Sequence, residues 1–181
     1  MMKKLFPFLL AVFMAVSLCS PSRSAQADDA ALMRERSVVL WLGGRKLGDD
    51  MVIGAEGQLI FQLIDRTLAS RIYSEPNNFP EQIVWNAQYI DKAARQKSDV
   101  VILFYRAVNR WTFDPKLLKY NGEPIDRSQY LSSVLSAQTG SLPKGTEDVL
   151  AFSVPRSHTK PGKTLTFSYG NESVALTIPR R

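Results

Sequence analysis

Residues 147–179 read EDVLAFSVPRSHTKPGKTLTFSYGNESVALTIP, and the fold class turns on how they alternate. Leu150, Phe152 and Val154 interleave with Ala151 and Ser153. Leu165, Phe167 and Tyr169 interleave with Thr164, Thr166 and Ser168, and Val174, Leu176 and Ile178 with Ser173, Ala175 and Thr177. Successive side chains of an extended chain point to opposite faces, so each set predicts a strand with one face in a core and one in water. Gly170-Asn171 has the composition of a two-residue hairpin turn between the last two strands. The chain thus closes in an antiparallel unit.

The middle of that stretch, SHTKPGKT (157–164), ends like a phosphate-cradling loop. That motif needs a glycine five positions before Gly162 and a helix after Thr164. Ser157 occupies the first place, and the β-branched, alternating TLTFSY follows the second. The stretch is read as a connector with a Pro161-Gly162 turn, and nucleotide binding is excluded. His158, the sole histidine, lies between Arg156 and Lys160 and is expected in solvent.

Upstream, DVVILFYRAV (99–108) is apolar on both faces up to Arg106, which suits a central strand covered on both sides. TFDPKLLKYNGEP continues as a strand-like run, with Asp114-Pro115 as a turn initiator and Asn121-Gly122 as a turn. SVVLWLGG (37–44) predicts the first strand. Residues 57–72 are ambiguous between strand and helix, and a strand running into a short helix is one reading, since Phe61, Ile64, Leu68 and Ile72 approach helical spacing. Residues 81–97 fit either state. Ile83, Ala87, Ile90 and Ala94 form a helical stripe, while Ile83, Trp85, Ala87 and Tyr89 alternate as in a strand. The strand is favoured for 83–90. Many short strands between Gly, Pro and Asn turns predict a mainly β chain, an antiparallel β-sandwich with one or two short helices in the first half.

The opening MMKKLFPFLLAVFMAVSLCSPSRSAQADDA has a basic start, an apolar run from Leu5 to Leu18, and the small-x-small site Ala25-Gln26-Ala27. This is the pattern of a secretory signal peptide cleaved after Ala27. The run is short for a membrane span, which needs roughly 20 residues. Cys19 follows Leu18 and fits a lipidation site poorly. Cleavage would remove Lys3, Lys4, Arg23 and the only cysteine, lowering the formal net charge from +6 to +3. A flexible lead is expected over 28–36 and a single domain over 37–179. With no thiols, burial alone must hold it, and a chain of about 150 residues suffices. The cations are scattered rather than grouped with aromatics, which excludes nucleic acid as the partner.

Three segments together, 98–124, 140–155 and 163–179, resemble the exported immunoglobulin-like domains of bacterial envelope proteins. A long hydrophobic strand leads into Phe113-Asp114-Pro115, a Lys144-Gly145 lead-in introduces a strand ending Phe152-Ser153-Val154-Pro155, and a hairpin closes the sheet. The resemblance implies a periplasmic or cell-surface binding or assembly module with a protein partner, and no catalytic residues or cofactor. Antibody domains carry a cysteine pair that is missing here.

No catalytic constellation emerges. A Ser-His-Asp arrangement lacks a nucleophile elbow, one histidine is too few for a catalytic zinc site, and GDDMVIGAEG does not supply a calcium loop. The carboxylate pairs Asp49-Asp50 and Glu147-Asp148 leave an exported hydrolase, a carbohydrate binder or an enzyme inhibitor as alternatives. Trp41 and Trp85 sit in apolar segments and are expected in the core. Trp111, between polar residues, is the candidate partner contact together with Arg110 and Tyr120.

Overall fold

The structure is a computed structural model and describes residues 23–47 and 51–180. Most of the expected leader, 1–22, lies outside the described residues, as do Asp49 and Asp50. In chain order the elements begin with α1 (Arg23–Arg34), β1 (Ser37–Leu42), β2 (Arg45–Leu47), β3 (Met51–Ile53), β4 (Gly57–Ile64), α2 (Arg66–Ser74), α3 (Glu81–Asn86) and α4 (Gln88–Arg95). They continue with β5 (Ser98–Ala107), β6 (Trp111–Phe113), β7 (Leu118–Tyr120), β8 (Glu123–Pro124), β9 (Gly140–Leu142), β10 (Glu147–Pro155), β11 (Thr164–Tyr169) and β12 (Glu172–Thr177). The chain is mainly β, and every strand pair is antiparallel.

Two four-stranded sheets, β1-β4-β5-β10 and β12-β11-β7-β8, pack face to face. Phe61 of the first stacks on Phe167 of the second, with ring centroids 4.4 Å apart. Leu59, Leu63, Val101, Leu103, Leu150, Phe152 and Leu165 complete a fully buried layer between them. The other face of the first sheet carries a second core, in which Leu68, Ile72, Ile83, Ala87 and Ala93 of the helices meet Ile64, Val100, Ile102 and Ala151. Three layers result.

The C-terminal hairpin pairs Tyr169 with Glu172 around Gly170-Asn171, and Gly170 adopts a positive φ of 58° that glycine tolerates without steric cost. β5 is covered on both faces, as its continuous apolar run predicts. β10 differs from its expectation. Ala151 and Ser153 are buried, because helices and the segment around Leu131 cover the face predicted to meet water. In the ambiguous stretch 57–72, β4 runs into α2, and Asp65 caps the helix by accepting the Leu68 amide at 2.9 Å.

The reading of 83–90 is overturned. Residues 83–90 form helix rather than strand: Ile83 and Ala87 are buried and Trp85 points away, as a step of 100° per residue requires. Over 28–36, expected as a flexible lead, the chain is helical as far as Arg34. The buried Asp29 of α1 accepts from Arg71 Nε (2.8 Å), Arg71 Nη2 (3.0 Å) and Asn78 Nδ2 (2.8 Å). Arg36, 1% exposed, donates to Asp65 at 2.8 Å and to the Leu32 carbonyl at 3.2 Å. The expected cut after Ala27 falls inside α1 and spares Asp29.

Candidate docking platform

The helical layer covers only part of the first sheet. Register defines the covered and open parts. Gln62, Ile102 and Ala151 lie opposite one another on neighbouring strands, face the helices and are buried. Two residues along each strand, on the same face, Val39, Ile60, Phe104 and Val149 form a row across all four strands. Val39 is 40% exposed and the other three are half-buried. Two residues further, Trp41, Gln58, Arg106 and Glu147 form a second, mostly polar row. An apolar strip spanning three strand spacings, about 14 Å, is therefore open beside the helices.

Ile60, Phe104 and Val149 of the strip floor a cleft of about 390 Å³, with Gln58, Gln82 and the Arg106–Glu147 pair as walls. That pair is long, 3.4 Å, and both side chains are more than half exposed, so it adds little stability and both groups can turn to a ligand. Asp148 at the same edge is already committed. It accepts the Gln138 amide (2.8 Å) and its own neighbour's, that of Val149 (2.7 Å). Tyr105 donates from beneath to the Gln138 carbonyl at 2.8 Å, and burial, then the Asp148 charge, pushes its phenol up. On α3, one turn from Gln82, Trp85 is 71% exposed.

Trp85 and Trp111 thus exchange their expected places, and Trp41, expected in the core, is half-buried on the Val39 face of β1. Trp111 is 6% exposed and packs with Phe113 and Tyr169 at centroid distances of 5.3 and 5.4 Å, while Trp85 lies at the surface. Tyr120, 8% exposed, belongs to the same inter-sheet core as Trp111, and its hydroxyl accepts from Gln129 Nε2 at 3.1 Å. Arg110 is exposed in the turn before β6. The three do not assemble into one surface. Reading Trp85 as exposed was open to the helical alternative for 81–97, which sets it opposite Ile83. The strip itself has no local signal, since its members come from four separate strands.

SHTKPGKT is the connector between β10 and β11, as expected, yet it is tied down rather than loose. Thr159 is buried and donates to Asp99, and Arg156 Nε reaches Asp99 at 3.0 Å. His158 is half-buried, its ring 5.9 Å from that of Tyr120 and its Nδ1 enclosed without a hydrogen-bond partner. Among the described residues no three His, Cys, Asp or Glu side chains converge to hold a metal ion, and no helix is long and apolar enough to cross a membrane. No family model, curated protein or solved structure matches the chain.

Proposed function

We propose that the chain is an exported, non-catalytic binding or assembly module of the bacterial envelope, and that it docks a protein partner on the open half of the β1-β4-β5-β10 sheet. One observation carries this reading: the partly buried apolar row Val39–Ile60–Phe104–Val149, continuous across four strands, with Phe104 and Val149 at the margin of the helical core. Protein interfaces combine an apolar centre with a polar rim, and exposed aromatic and Arg side chains are their usual anchors. Gln58, Gln82, Arg106 and Glu147 supply such a rim, and Trp85 such an anchor. The immunoglobulin-like resemblance belongs to the same proposal. Two antiparallel four-stranded sheets packed face to face support it, with the helices as an added outer layer.

The test is site-specific photo-crosslinking in producing cells. A photoreactive residue at Phe104 or Trp85 should give a discrete adduct with one protein. The same residue at Lys119, on the outer face of the second sheet, should give none. Phe104→Glu should abolish the Trp85 adduct while leaving the far-ultraviolet spectrum unchanged. Equal labelling at all three positions, or none at Phe104 and Trp85, would refute the proposal.

A further inference from the structure

We propose a second site, independent of the platform and at the opposite end of the β4 and β5 strands, that binds an oxyanion group such as a phosphate or sulfate ester. A cleft of about 370 Å³ opens there between the first turn of α2, the head of β5 and the 156–161 connector. Its charged lining comprises Asp65, Asp99, Arg66, Arg156 and Lys160. A donor and acceptor count shows what it lacks. Asp65 accepts the Leu68 amide on one oxygen and Arg36 Nε on the other. Asp99 accepts Arg156 Nε on one oxygen and the Thr159 hydroxyl on the other. Each oxygen of both carboxylates is thus engaged from within the protein, and each carboxylate is neutralised by an arginine.

The surplus is cationic. Arg66 and Lys160 are exposed and form no salt bridge among the described residues, yet both line the cleft. Arg156 spends only its Nε on Asp99, so its terminal N–H groups remain. A guanidinium fork matches two oxygens of a tetrahedral anion, and an ammonium adds a compact third contact. Pro161, Ile178 and Pro179 form an apolar wall. That wall suits the carbon body of an ester better than a bare ion. Holding the connector in place does not account for Arg66 and Lys160, because Arg156, Thr159 and Asp99 already do that.

The full chain is titrated with inorganic phosphate, sulfate and chloride and followed by amide chemical shifts. Separately, it is sedimented with phosphatidylcholine vesicles with and without phosphatidylglycerol. Saturable shifts with phosphate or sulfate are expected at 65–67, 156–161 and 178–179, with chloride inert. The double substitution Arg66→Ala, Lys160→Ala should weaken binding at least tenfold without lowering the melting temperature of the free protein. Lys163→Ala, on the connector but outside the cleft, should change nothing. Vesicle binding that needs phosphatidylglycerol and is lost in the double variant assigns the group to a lipid headgroup. Binding of the free anion alone assigns it to a soluble ester. Shifts spread over the whole surface, shifts indifferent to the double substitution, or no response to any oxyanion or vesicle would overturn the site.

Discussion

Trp111→Ala gives the most direct test of the packing described above. The indole is 6% exposed and sits against Phe113 and Tyr169. Deleting a buried indole costs about 3–5 kcal/mol, against about 0.5 kcal/mol or less for a surface residue. Its floor is Gly57, where an added Cβ would stand 2.8 Å from Trp111 Cδ2 and 3.0 Å from Cε2 and Cε3. Ordinary contact begins near 3.4 Å, so Gly57→Ala must drive a rigid ring outwards by several tenths of an ångström. Overpacking of that kind costs about 1–3 kcal/mol. In the Trp111→Ala background the clash is gone, and the same Gly57→Ala change should be neutral or stabilising, since alanine stiffens a strand relative to glycine by about 0.5–1 kcal/mol. The two sites are therefore coupled by about 1–3 kcal/mol in a double-mutant cycle. Urea unfolding followed by far-ultraviolet circular dichroism measures all four corners, with slopes compared to exclude altered denatured states. A Trp111→Ala variant within about 0.5 kcal/mol of the parent, or additive costs for the two changes, would refute the assignment of Trp111 to the core.

Three further outcomes follow from buried polar groups. Asp65→Ala takes the close partner from the fully buried Arg36 guanidinium, leaving it the Glu35 carboxylate at 3.9 Å, and removes the α2 cap, so denaturant unfolding should show a loss of up to about 3–5 kcal/mol. Asp65→Asn keeps a capping oxygen and should recover about 1 kcal/mol of it. Hydrogen bonds from Arg71, with Asn78 and the Arg71 charge adding, hold the Asp29 carboxyl below its ordinary value of 3.8 against the opposing effect of burial. A lowered folded-state value contributes stability above about pH 4 that is lost as pH falls through the folded value, so the parent should lose its advantage over Asp29→Asn in acid. Burial pushes Tyr130 up to about 12, and raises Tyr105 and Tyr169 too. Their neutral forms stabilise the fold below pH 10, and that contribution disappears as pH rises through the folded values. Absorbance titration of phenolate should show these three ionising late and together with unfolding, and early ionisation of Tyr130 would contradict its burial.

Local pattern alone was enough for the elements whose residues are neighbours in sequence. The Phe167 and Leu176 strands, the Gly170-Asn171 and Asn121-Gly122 turns and the covered strand 99–107 all depend on alternation or turn chemistry within a few residues. The mainly β, antiparallel character follows from them. Tertiary structure decided the rest, because it depends on what covers each face. Residues 83–90 satisfy both periods, and only the sheet beneath Ile83 and Ala87 selects the helix and turns Trp85 outwards. Ala151 and Ser153 look solvent-facing in a two-layer reading and are buried by a third layer. Asp29 and Arg36 read as polar residues of a flexible lead until Arg71 and Asp65, 42 and 29 positions away, pair with them. The platform and the cationic cleft belong to the same category. Each gathers residues from strands and loops distant in sequence, and register between strands, which no single segment encodes, aligns them.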